Sequence, residues 1–140
     1  MALNPNPNLI LENQFGTFHD IINLKTSKRK EMKKKLRENL GNWLINKNFE
    51  LTKNELLDVS ILLYVDRKKY KTQDVDNAAK IILDTIKKTN ICEDDRQIIR
   101  LLVYKISRIE YKNEETSSLI ISFRKHDKSK QMNLIENEVL

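Results

Sequence analysis

"LDVSILLYVDRKKYKTQDVDNAAKIILDTIKKTN", residues 57–90, decides the fold. Leu57 to Tyr64 are rich in apolar and β-branched types, which predicts a buried strand. The basic stretch "DRKKYKTQ", residues 66–73, reads as a turn. Past Asp74, the apolar residues Ala78, Ala79, Ile81, Ile82, Leu83 and Ile86 predict a helix that fades at "KKTN", residues 87–90. A strand delivering such a helix is the unit from which α/β sheets are built.

Working upstream, Met32, Leu36, Leu40, Trp43 and Leu44 recur at helical spacing and predict an amphipathic helix from Lys28 to Asn46–Asn48, with Gly41 in its interior. Before it, "LILENQFGTFHDIINL", residues 9–24, suits one or two short strands with a bend at Gly16. Residues 1–8 hold both prolines and three asparagines and read as a loose arm. Downstream, Ile98 to Tyr111 predict a strand whose later half alternates cleanly, Asn113 to Ser118 a polar turn, and Leu119 to Phe123 a last strand. "RKHDKSKQMNLIENEVL", residues 124–140, suits a frayed tail or a short helix. The expected architecture is one small α/β (α+β) domain over residues 1–125, a mixed sheet with two main helices packed on it. A polar tail over 126–140 follows.

The chain has 140 residues, the size of one domain with one modest core. Its formal net charge is +6, which favours an acidic partner, with nucleic acid foremost. No apolar run is long enough to span a bilayer, and the N-terminus lacks the basic start and cleavage site of a secretory signal. Cys92 is the single cysteine, so no intrachain disulfide forms. Together these favour a protein of a reducing cytoplasm, without membrane partners. Flanked by Ile91 and Glu93, Cys92 itself reads as a packed thiol.

Against this basic background, Asp74 and Asp76 stand one residue apart where the turn meets the helix. Two readings stay open. Asp and Asn are favoured helix starters, so "DVDN" can simply cap the helix. Alternatively, close carboxylates need positive charge between them, and a hard cation such as Mg²⁺ takes carboxylate oxygens while keeping most of its waters. Lys80 and Asp84 follow Asp76 at steps of four and share one helical face. Lys80 then lies one turn from the acids, within reach of a metal-bound phosphate, whereas Asp84 is explained by pairing with Lys80 or Lys88. A second acidic group, Glu93, Asp94 and Asp95, precedes the long strand. Acids converging with a lysine would form a metal-dependent phosphodiester site.

"DVDNAAK" followed by "EDDRQI" resembles the RusA family of Holliday-junction resolvases. That family carries an Asp-x-Asp-Asn-x-x-Lys segment and then an Asp-Asp pair with Gln two positions on. Asp74, Asp76, Asn77 and Lys80 match the first segment; Asp94, Asp95 and Gln97 match the second. The order of elements from the first helix to the last strand also agrees. The Pro-rich, basic and aromatic N-terminal stretch common in the family is not matched by "NPNPNLILENQFGTFHD", residues 4–20. His19, within it, reads as neither a DNA contact nor a ligand.

The resemblance implies a dimeric endonuclease that cuts branched DNA with Mg²⁺, or Mn²⁺ in its place, encoded by a bacterium or a phage. It implies that Asp74, Asp76 and Asp95 are the essential metal-binding carboxylates, with Asp94 beside them, and that Lys80 acts near the scissile phosphate. The leading reading is symmetric resolution of four-way junctions, with a nuclease acting on flaps or forks, or a branched-DNA binder with no catalysis, as the alternatives. Affinity would come from residues 25–37, "KTSKRKEMKKKLR", where eight basic residues stand against Glu31. Lys28, Arg29, Lys30, Lys33 and Lys34 lead this group, joined from the turn by Arg67, Lys68, Lys69 and Lys71. Such clusters neutralise phosphates with little sequence reading.

Overall fold

A computed structural model describes residues 9–11, 16–47, 55–66, 71, 74–89, 91, 95–108, 116–130 and 134–136 of the chain. The elements run β1 (Leu9–Leu11), β2 (Gly16–Asn23), α1 (Arg29–Lys47), β3 (Leu57–Asp66), α2 (Val75–Lys87), β4 (Ile98–Arg108), β5 (Thr116–Lys125) and β6 (Leu134–Glu136). Single 3-10 turns, Thr26–Lys28 and Asp95–Gln97, lead into α1 and β4. The main sheet has the order β2-β5-β3-β4. β5 pairs antiparallel with both β2 and β3, and β3 pairs parallel with β4 across the α2 crossover. This is the mixed sheet with two helices that residues 57–90 predict.

β3 is buried along its whole length, as expected of a near-continuous apolar strand inside a sheet. Its pleat sends Leu57, Val59, Ile61, Leu63 and Val65 toward the helices. There they join Met32, Leu36, Leu40 and Leu44 of α1 and Ala78, Ile81, Ile82 and Ile86 of α2. Burying a side chain such as Leu40 or Ile82 stabilises the fold by roughly 1.5–3 kcal/mol. On the opposite face Leu62, Tyr64 and Ile120 form a smaller cluster with Ile106.

Trp43 packs edge-on to Phe18 at 5.8 Å between ring centroids and tilts over Phe123 at the same distance. Gly16 lies beneath this indole, and a Cβ there would stand 2.8 Å from two of its carbons. That glycine makes room for a ring.

Two expectations are corrected. Residues 116–118 continue β5, because Thr116, Ser117 and Ser118 are in register with Asn23, Ile22 and Ile21 of β2. The segment expected as a frayed tail or short helix contains β6, which pairs antiparallel with β1 more than a hundred residues upstream. No local pattern in "NLIEN" announces so distant a partner. The predicted arm over residues 1–8, Cys92, and the continuation of the long strand to Tyr111 lie outside the described residues.

Candidate active site

α2 is built to display polar groups on one side. Its apolar face carries Ala78, Ala79, Ile81, Ile82 and Ile86 inward, which leaves Asp76, Asn77, Lys80 and Asp84 exposed. Asp74 is the N-cap, extended in backbone, and its Oδ1 accepts from the N–H groups of Asp76 at 3.0 Å and Asn77 at 3.3 Å. The capping reading of "DVDN" is therefore realised. It does not use up the carboxylate, since both bonds fall on Oδ1 and leave Oδ2 clear among the described residues.

Asp76 sits in the first turn, where the helix dipole favours negative charge. Lys80 reaches back to it, Nζ to Oδ2, at 3.9 Å, with both side chains largely in water. Neither pairing expected of Asp84, with Lys80 or with Lys88, is made among the described residues: Lys80 turns to Asp76. Asp84 instead lines a hollow beside α1 together with Lys88. The helix closes at Thr89, whose hydroxyl donates to the Ile86 carbonyl at 2.6 Å.

Asp95 begins the 3-10 turn ahead of β4, while its side chain and all of Asp94 lie outside the described residues. Gln97, matched in the resemblance, is buried and donates through Nε2 to the Glu55 carbonyl at 2.9 Å. It ties the acidic turn to the start of β3, a positioning task. Among the described residues no group of three or more His, Cys, Asp or Glu stands close enough to hold a metal. The donors that are described are carboxylate oxygens at a helix start, and these suit a hard divalent cation.

Of the basic residues, Lys28 ends the 3-10 turn and is exposed, while Lys30, Lys33, Lys34 and Arg37 share one face of α1 beside α2. Arg29 is half-buried, and among the described residues its Nε has no hydrogen-bond partner. Lys35 is neutralised locally by Glu31 at 3.5 Å. Lys71 is exposed; Arg67, Lys68 and Lys69 lie outside the described residues. His19 is exposed on β2.

The family model described as Endodeoxyribonuclease RusA matches residues 16–115, most of the chain. The chain belongs to the RusA endodeoxyribonuclease family. Comparison with curated proteins finds no match. The RusA match spans both acidic groups, Lys80 and the basic part of α1. It places the chain among nucleases that act on DNA. Among the described residues no helix is long and apolar enough to cross a membrane.

One polar cluster escaped the reading of the sequence. Asp58 is buried and bound by Arg124 through Nε and a terminal nitrogen, by His126 Nδ1 at 2.9 Å, and approached by Arg100 Nε at 3.8 Å. A register shift at Leu57/Asp58 brings Arg100 opposite Asp58. Arg100 also donates to the carbonyls of Asp127 and Lys130, and the His126 N–H donates to the Leu56 carbonyl. These bonds hold the chain after β5 against the start of β3. The signal was present, because an Asp inside an apolar strand demands a charged partner.

Proposed function

We propose that this RusA-family chain is a divalent-metal-dependent endonuclease that resolves four-way DNA junctions by symmetric phosphodiester hydrolysis. The observation that carries this reading is the start of α2, where Asp74 and Asp76 stand one turn before Lys80 in a chain matched to the family from residue 16 to 115. Asp74, Asp76 and Asp95, with Asp94 beside them, would hold Mg²⁺ or Mn²⁺. When bound, the ion would polarise a phosphoryl oxygen and lower the pKa of bound water.

The chain's own residues do the rest. The Asp74 cap fixes the first turn, so that Asp76 is presented outward from a rigid helix. Lys80 leaves its weak contact with Asp76 to place positive charge beside the phosphate as it becomes more negative. Lys28, at the entry to α1, and the turn containing Lys71 bind the backbone irrespective of sequence. β4 is an edge strand whose exposed apolar residues, Leu101 on the helix side of the sheet and Tyr104 on the other, suit an edge that pairs two copies so that each addresses one strand of a junction.

The test is cleavage of a synthetic four-way junction by pure protein with and without Mg²⁺, beside a flap, a fork and a linear duplex. Paired symmetric nicks that need the cation and vanish in Asp76→Asn, while junction binding persists, support the proposal. Binding without product under any divalent ion would make the chain a branched-DNA binder. Preferred cutting of flaps or forks would keep the chemistry and change the substrate.

A further inference from the structure

The hollow between the first three turns of α1 and the last turn of α2 has a volume of about 240 Å³. Lys30, Lys33, Lys34 and Arg37 line it from α1, and Asp84, Thr85 and Lys88 from α2. Lys33 and Lys34 each lie three or four positions from both Lys30 and Arg37, so the four share a face, as do Asp84 and Lys88. Thr85 is buried and spends its hydroxyl on the Ile81 carbonyl at 3.0 Å, so the floor brings no charge.

Five cations therefore surround one carboxylate. Three lysines elsewhere have carboxylate partners, Lys35 with Glu31, Lys80 with Asp76 and Lys125 with Glu55. Among the described residues none of the five around the hollow is ion-paired, and neither is Asp84. The folded chain thus holds a concentrated like-charge repulsion that an anion would relieve, and the negative end of the α2 dipole offsets only part of it.

We infer that this hollow is a second DNA contact, which grips the phosphate backbone of a duplex arm away from the scissile phosphate. Lys88 stands twelve residues along α2 from Asp76, or roughly 18 Å at the helical rise. The hollow and the acidic turn are therefore separate stations on one rigid helix. Ammonium groups dominate the hollow, and as point charges they suit phosphate oxygens without reading bases. Asp84 acts here as a brake, a like charge set against the bound backbone. The inference rests on the reading that the partner is DNA.

The experiment is binding of a fluorescent linear duplex to the full chain across a salt series, with no divalent ion present. Arg37→Gln combined with Lys88→Gln should flatten the dependence of log affinity on log salt by about one to two. Asp84→Asn should bind more tightly at each salt concentration. Lys125→Gln, on β5 and paired with Glu55 away from the hollow, serves as the control with an unchanged slope. All these side chains are exposed, and matching melting temperatures will establish that each variant folds. An unchanged slope in the double variant, or no gain in Asp84→Asn, overturns the inference. Because no cutting is measured, a chain that grips duplex here yet never cleaves a junction loses the proposed reaction and keeps the hollow. A chain that cuts while the variants bind normally does the reverse.

Discussion

Arg124 grips Asp58 through two nitrogens, Nε at 3.0 Å and a terminal one at 2.6 Å from the same oxygen, and both side chains are closed off from water. Removing Arg124 takes two bonds from the buried Asp58 carboxylate and leaves it only His126 and the more distant Arg100. Arg124→Met should therefore lower stability by about 3–5 kcal/mol, read as the shift in a urea unfolding curve. Asp58→Leu together with Arg124→Met should cost less than the arginine change alone, because an apolar pair has no desolvation debt. A single variant unfolding at the unmodified midpoint would show that the pair is not buried in solution.

Asp74 has a measurable structural task alongside its proposed chemical one. Its cap on the Asp76 and Asn77 N–H groups predicts that Asp74→Ala loses about 1 kcal/mol. Asn is an equally good cap but brings no charge to a cation. Asp74→Asn should therefore unfold close to the unmodified protein while losing metal-dependent cutting. Full cleavage by the Asn variant would reduce Asp74 to a cap.

The helices were legible because their patterns are local. Leu36, Leu40 and Leu44 repeat at steps of four, and Ala78, Ile82 and Ile86 do the same, so each face is set within a few turns. β3 was legible because burial on both sides demands an unbroken apolar run. What escaped depends on distant partners. β6 exists through β1, and Thr116 to Ser118 become strand because β2 extends to meet them. The bonding of Asp58 to Arg124 and His126 joins residues more than sixty positions apart, two of them in the segment 124–140 that reads as a frayed tail or a short helix. At the site, the residue types around Asp74 to Lys80 announced the chemistry, while the hollow needed α1 and α2 to be brought together in space.

The two glycines should respond in opposite senses. At Gly16 an added methyl would stand 2.8 Å from the indole of Trp43, so Gly16→Ala must displace a packed ring and should cost about 1–3 kcal/mol. Trp43 is the single tryptophan, so its emission will report the displacement directly. At Gly41, in the interior of α1, nothing stands within 4 Å of the position a Cβ would take. Gly41→Ala should therefore stabilise the chain by about 0.5–1 kcal/mol. Equal effects in the two variants would contradict the packing of Gly16 beneath Trp43.

Lys80 separates stability from chemistry most cleanly. Its contact with Asp76 spans 3.9 Å between side chains that are 74% and 80% exposed, a pair worth no more than about 0.5 kcal/mol. Lys80→Met should leave the urea midpoint nearly unmoved. If its charge meets the phosphate in the transition state, the same change should slow cleavage by roughly 10²–10³-fold while junction affinity measured without metal falls only slightly. Lys80→Arg keeps the charge on a wider head and should recover part of the rate. Cleavage at the normal rate in Lys80→Met would leave Lys80 as a surface partner of Asp76, and the proposed reaction would then need another source of positive charge at the phosphate.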